Sequence, residues 1–200
     1  MQKSLLQGLR VAILATDGVE QSELTEPRKA LDDAGAKTTL IAPKQGRIRA
    51  MNHDERAQTF AVDATLDSVR ADDFEAVLLP GGALNADHLR VEPAAQEFVR
   101  QMDAAQKPLA AICHAPWLLI SAGLVDDRRL TSYHTIKDDV ENAGGVWRDQ
   151  PVVRDRNWVT SRQPSDIPAF NREMSALFAS SRSQSDKKES SNAVAPPVGR

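Results

Sequence analysis

Short apolar runs alternating with longer amphipathic stretches are the feature that most limits what this chain can become. "VAILA" (11–15), "KTTLIA" (37–42), "EAVLLP" (75–80) and "PLAAIC" (108–113) are each of strand length and nearly unbroken in apolar character, as strands buried on both faces are. Between them, residues 22–34 read as a helix with Ser22 as N-cap and Gly35 as its stop; Pro27 must then fall within the first turn or so. Residues 43–63 suggest a hairpin or small excursion. From residue 92 to 106 the spacing of Ala95, Phe98, Val99 and Met102 defines one apolar helical face. A helix over 115–123 follows, stopped by Gly123. Then come "RLTSY", a helix near 136–143, the segments "VWRDQPVV" and "NWVTS", and a last helix near 165–179. This alternation predicts an α/β fold in three layers, a mostly parallel sheet with helices on both faces.

Two hundred residues suffice for one such domain, assigned here to residues 1–180. Residues 181–200, "SRSQSDKKESSNAVAPPVGR", hold almost no large apolar side chain and are expected to be a disordered polar tail. A net charge of -3 supplies no attraction to nucleic-acid backbone or anionic lipid, so neither is expected as a partner. No apolar span approaches the roughly 20 residues of a membrane crossing. "MQKSLLQGLRVAILA" is broken by Gly8 and Arg10 and reads as the approach to a first strand rather than an export signal. The single cysteine, Cys113, cannot form an internal disulfide and fits a reducing compartment. A cytoplasmic location is expected.

Ligands of open parallel sheets bind beyond the carboxyl ends of the strands. Three proposed strands deliver distinctive residues there: "ATDGVEQ" after the first, "PGGALNAD" after the third and "CHAPW" after the fourth. Cys113 sits at a strand-to-helix turn, where an elbow can present a nucleophile, and Pro116 suits the first turn of the helix that follows. The positive end of that helix favours thiolate over thiol, so a charged sulfur is expected at neutral pH. The plain alternative is a cysteine packed in the core. His114 is the adjacent candidate base, although neighbouring side chains at a turn usually point apart, and Asp87 is a carboxylate at the same edge. Each has a structural reading as well, a helix-start histidine and a loop or capping acid. Glu20 is the candidate acid near the sulfur, where a raised pKa would let it donate a hydrogen bond to sulfur; otherwise it is a solvated loop acid. Gly81 and Gly82 allow close approach of backbone N–H groups to a developing oxyanion, or simply make a tight turn. Neither a dinucleotide nor a P-loop fingerprint occurs, and His53, His88, His114 and His134 lack metal-ligand spacing. No metal and no cofactor is expected.

Together "DGVEQSEL", "LLPGGALNADHLR", "AAICHAPWLLISAGL", "TSYHTIKDDVENAGGVW" and "NWVTSRQPSDIPAF" resemble, in register from about residue 9 to 179, the PfpI family of the ThiJ/PfpI superfamily. The resemblance implies a flavodoxin-like sandwich with a nucleophile elbow at Cys113, Glu20 as the acid beside it, and the Gly82 and His114 amides at the oxyanion positions. It also implies that Asp87 pairs with His114 across a subunit interface, making the protein a homodimer or higher homo-oligomer. Trp117 and Tyr133 match positions that line or flank the pocket. His134 stands where proline is frequent, and no role is assigned to it.

Three functions are compatible with that resemblance. The leading one is a stress-response deglycase or glyoxalase-like hydrolase, acting on methylglyoxal or glyoxal adducts of proteins, amino acids or nucleotides. The second is an intracellular cysteine peptidase acting on peptides, and the third a non-enzymatic oxidative-stress sensor or chaperone. Glutamine amidotransfer is disfavoured, because no histidine follows His134.

Overall fold

The computed structural model describes residues 5–192, with side chains through residue 181. The chain runs β1 (Arg10–Leu14), β2 (Val19–Glu20), α1 (Gln21–Asp33), β3 (Lys37–Ala42), β4 (Arg47–Asn52), β5 (Glu55–Ala61), β6 (Ala64–Thr65) and β7 (Ala76–Leu79). It continues through α2 (Ala83–Arg90), α3 (Pro93–Ala104), β8 (Leu109–Ile112), α4 (Pro116–Ser121), β9 (Arg129–Leu130) and α5 (Lys137–Asn142). It ends with β10 (Val146–Trp147), β11 (Val152–Asp155), β12 (Trp158–Ser161) and α6 (Ile167–Asn192).

Seven strands form the central sheet in the order β11-β12-β8-β7-β1-β3-β6. All neighbours are parallel except the edge pair β11 and β12. Side chains alternate across each strand, which splits the core in two. Val11 and Ile13 of β1 face Leu24 and Leu31 of α1 and Phe170 and Met174 of α6. Ala12 and Leu14 face the other way, into the layer that holds Leu89 of α2, Phe98 and Met102 of α3 and Leu118 of α4. The three-layer α/β sandwich expected from the apolar runs is therefore the fold. Residues 43–63 do form a hairpin, β4 with β5, which pairs with β2 in a separate small sheet.

Strand order reverses at β1. From there the chain fills β3 and β6 on one side, then β7, β8 and β12 on the other. Loops leaving β1 and β7 diverge across this switch point and leave a crevice at the carboxyl ends. Cys113 follows the last residue of β8 directly into that crevice.

Two local expectations shift. Pro27 is the seventh residue of α1, beyond the first turn, and is buried. Lacking an N–H, it leaves the Glu23 carbonyl without its helical donor. The final helix runs on to Asn192, past the boundary near residue 181 where a disordered tail is expected; the rest of that tail, 193–200, lies outside the described residues. No helix among the described residues is long and apolar enough to cross a membrane.

At the opposite end of the sheet, Asp103 Oδ1 accepts from Arg128 Nη2 at 2.7 Å, Trp158 Nε1 at 2.8 Å and Asn157 Nδ2 at 3.0 Å. The Arg128 guanidinium also lies over the Trp158 ring, 4.2 Å from its centroid. One carboxylate thus fixes the start of β12, the strand whose far end holds the Cys113 backbone. Asp103→Ala removes the nearest carboxylate from a buried guanidinium that keeps only Asn157 Oδ1 at 3.1 Å and Asp155 Oδ2 at 3.8 Å, and is expected to cost about 3 kcal/mol, read as a lowered midpoint in urea denaturation.

Candidate active site at the Cys113 elbow

Cys113 has φ 63°, the left-handed region that a residue bearing Cβ enters only under constraint. The constraint is visible on both sides of the residue. Its N–H donates to the Ser161 carbonyl of β12 at 3.0 Å, and its carbonyl accepts from the Tyr133 N–H at 2.9 Å. The side chain is turned out of the strand line toward the base of a cavity of about 490 Å³ and retains 7% exposure. Gly18 from the loop after β1, Glu20 from the end of β2, Gly82 from the loop after β7, and His114 and Tyr133 from beyond β8 all line this cavity. The three expected segments do converge.

Gly82 has φ 89°, and a Cβ there would lie 2.6 Å from the Glu20 nitrogen. Only glycine permits both that backbone conformation and that approach. The backbone N–H groups of Gly82 and His114 are directed at the sulfur. Gly81 takes a different part. Its N–H donates to Glu23 Oε2 at 2.9 Å and is not free for an oxyanion. A Cβ at Gly81 would approach the Cys113 Cβ to 2.6 Å and the Ile112 carbonyl to 2.7 Å, so this glycine makes room for the elbow. The loop is locked by a residue that the sequence reading missed, Asn85. This fully buried side chain accepts from Thr16 N–H at 2.7 Å and donates to the Pro80 and Gly81 carbonyls at 3.0 and 2.9 Å.

The acid beside the sulfur is Glu23, not Glu20. Glu20 precedes α1, half exposed at the cavity wall, and its Oε2 accepts the His53 N–H at 3.0 Å. Glu23 lies one helical turn further on and is completely buried. Its carboxyl interacts with the Cys113 thiol, although Oε1 makes no hydrogen bond of ordinary geometry. The missed signal is periodicity: Glu23, Pro27 and Leu31 share one stripe of α1, and all three are buried. Burial disfavours the charged carboxylate and, aided by the nearby Glu20 charge, raises Glu23 to about 8 against the pull of the thiol and the Gly81 amide. Glu23 therefore holds its proton at neutral pH.

Burial also pushes the Cys113 thiol up, against the opposing pull of the two amides. Desolvation thus works against the expected resting thiolate. His114 Nδ1 is 3.2 Å from the sulfur. Burial, aided by the neighbouring His134, lowers the pKa of His114 and keeps the ring neutral. Adjacent side chains here do meet, because the left-handed turn at Cys113 swings the histidine back over the sulfur. Asp87 is exposed on α2 and makes no hydrogen bond or ion pair with His114 within the chain. Trp117 flanks the site rather than lining the cavity: its Nε1 donates to Asp139 Oδ2 at 2.7 Å, and its ring lies 5.3 Å from that of His114. Tyr133 does line it, with its ring 4.9 Å from His114. Gln163, Pro164 and Ser165, from the loop after β12, complete the wall and were not anticipated. Among the described residues, no group of three or more histidines, cysteines or acids is placed to hold a metal.

A mostly parallel sheet, a strained cysteine directly after one of its inner strands and a buried acid on the first helix define a class of α/β protein built around a strand-to-helix elbow. The family model that matches residues 9–177 is described as the DJ-1/PfpI family, and the chain belongs to it. Among curated relatives, it is 42% identical to general stress protein 18 of Bacillus subtilis over 86% of this chain and 98% of that protein. It is 41% identical to deglycase PYRAB04690 of Pyrococcus abyssi, over 85% and 99% of the two chains. The putative cysteine protease YraA of Bacillus subtilis is 38% identical, over 82% and 95%. Among solved structures, a two-domain protein from Anabaena variabilis with DJ-1/ThiJ/PfpI-like and ferritin-like domains superposes with a TM-score of 0.79 at 30% identity, covering 83% of this chain and 47% of that one.

Glu23 makes a signed prediction about stability. Its folded pKa of about 8 lies above the ordinary glutamate value of 4.5, so folding favours its protonated form. That contribution is complete below pH 4.5 and is lost as pH rises through 8. Relative to Glu23→Gln, which keeps an acceptor for Gly81, the wild type is expected to lose about 1.4 kcal/mol per pH unit across that window. Urea denaturation of both proteins at pH 5, 6.5 and 8 checks this; parallel pH dependence would refute a buried neutral Glu23.

Proposed function

We propose that this chain is a cysteine-dependent hydrolase that repairs methylglyoxal or glyoxal adducts, a deglycase or glyoxalase-like enzyme. The observation that carries the reading is Cys113 on its strained turn at the base of a small cavity, with a neutral His114 Nδ1 3.2 Å from the sulfur. A cavity of about 490 Å³ suits a small-molecule fragment better than an extended peptide. The relatives named deglycases support the same direction.

In this reading His114 Nδ1 takes the thiol proton as sulfur attacks the aldehyde-derived carbon of an aminocarbinol adduct. The amine leaves with a proton, and a hemithioacetal beside a ketone is formed. Moving one proton from that carbon to its neighbour, through an enediol, converts the hemithioacetal into a lactoyl thioester. Glu23, protonated and adjacent, is the group suited to exchange protons there. Water then cleaves the thioester to lactate and free thiol. Adduct plus water gives amine plus lactate, with no outside oxidant. The Gly82 and His114 amides favour the negative charge that develops beside sulfur.

Glu20 supports a preference for substrate charge. The cavity wall carries this carboxylate and no lysine or arginine among the described residues, so cationic or neutral adducts are favoured over phosphate-bearing ones. The peptidase reading is supported by the relative named as a putative cysteine protease, and the same residues would serve it. The sensor reading loses support from the buried thiol, since oxidation follows thiolate character and exposure. Asp87 keeps its expected part only in a homo-oligomer in which one chain brings it to the His114 of another. Sedimentation showing a fully active monomer would remove it.

The test is lactate release from methylglyoxal-treated N-acetylarginine and guanosine monophosphate, with a casein peptide as the peptidase substrate. Cys113→Ala is expected to abolish release and His114→Ala to slow it about 100-fold or more. Wild type is expected to favour the arginine adduct, and Glu20→Gln to narrow that preference several-fold. Peptide cleavage without lactate release would replace this reading with the second.

A further inference from the structure

His114 is unusually constrained for a side chain with no partner acid among the described residues of its own chain. Its ring packs against both Tyr133, 4.9 Å away centroid to centroid, and Trp117, 5.3 Å away. Trp117 is itself held by its bond to Asp139 and by the Arg90 guanidinium 5.1 Å from the ring centroid. With the ring clamped in this way, Nδ1 faces sulfur and Nε2 faces the Thr135 hydroxyl, 3.3 Å away. Thr135 stands in the turn His134–Ile136 that follows Tyr133, and the Tyr133 N–H to Cys113 carbonyl bond fastens that segment to the elbow. The threonine is thus carried by the same backbone that strains the nucleophile.

From this arrangement we infer that Thr135 is the positioning residue for His114: its Oγ1 accepts the Nε2–H, which leaves Nδ1 bare to receive the proton of Cys113. A neutral imidazole has one donor and one acceptor nitrogen, and the partner of one fixes the role of the other. When the thiol proton moves to Nδ1, the Nε2–H bond to Thr135 persists, so the imidazolium is supported by the contact that prepared the base. The hydroxyl keeps its own hydrogen to donate outward, and the relay therefore stands with or without a second copy of the chain. The inference deepens the proposed function and rests on Cys113 being the nucleophile, but not on the identity of the substrate.

Its test uses Thr135→Val, which removes the hydroxyl at nearly constant shape on an exposed turn, and Thr135→Ser, which retains it. The rate of Cys113 alkylation by iodoacetamide at pH 7 reports proton removal from sulfur without any substrate. Thr135→Val is expected to alkylate about 3- to 10-fold more slowly, the loss that one modest hydrogen bond carries, and Thr135→Ser within about 2-fold of wild type. In lactate release, kcat should fall by a similar factor with KM unchanged, and nitrogen-15 shifts of the His114 ring should show the Nε2–H tautomer giving way in the valine protein. Slower alkylation in Thr135→Val without lactate release by wild type would support the relay while overturning the deglycase reading. Wild-type alkylation in Thr135→Val overturns the relay, and slow alkylation of Asp87→Asn alongside it would hand the orienting role to a neighbouring chain's carboxylate.

Discussion

The left-handed backbone of Cys113 is held by two hydrogen bonds made from opposite sides, one to Ser161 and one from Tyr133. A residue with a Cβ pays of order 1 kcal/mol or more for that conformation, and the sheet over-determines it. β8 and β12 are parallel through Ser161 and Ile112, so the Cys113 N–H simply continues the ladder one step past the strand. The Tyr133 amide then closes on the carbonyl that the turn exposes. Everything chemical about the site follows from this: the sulfur leaves the strand line, the next side chain folds back over it, and the segment carrying Tyr133 and Thr135 is brought to the imidazole.

Two opposing electrostatic effects meet at the sulfur. Donor amides from Gly82 and His114 favour negative charge, while burial of the sulfur opposes it. Desolvation prevails in the resting site, so the thiol holds its proton and Glu23 holds its own. In the proposed function, His114 removes the thiol proton at the moment of attack, which links reactivity to the geometry of the imidazole rather than to a permanently charged sulfur. The arrangement also explains why the core tolerates a completely buried glutamate: kept neutral, it costs far less than an ionised carboxylate would.

Much of this was legible in the chain. Unbroken runs such as "VLL" and "LAAI" announce strands covered on both faces, and Pro116 marks the helix after Cys113. Paired glycines at 81 and 82 announce close approach, although sequence could not say that one amide serves the sulfur and the other a glutamate. What was not legible is which of several acids turns inward. Glu20 and Glu23 differ by one turn of α1, and the outcome depends on where that helix starts: with Gln21 as its first residue, position 23 joins Leu24 on the buried face while Glu20 stays outside as the cap. Asn85 was hidden for a similar reason, since a buried asparagine in a loop-to-helix junction carries no pattern of its own.

The wall contributed by Gln163, Pro164 and Ser165 shows how distant chain segments acquire a role by topology alone. β12 lies beside β8 in the sheet but follows it by more than forty residues in sequence. Because the two strands are parallel, their carboxyl ends fall at one edge, and the loop that leaves Ser161 must pass over the cavity that Cys113 opens into. The β4–β5 hairpin acts from the other side, where its turn presents His53 to Glu20. Cavity shape is therefore set by two segments that carry no nucleophile, acid or base close to the sulfur. Such segments can change without disturbing the elbow, so the shape of the cavity can vary while the sulfur and the imidazole keep their places.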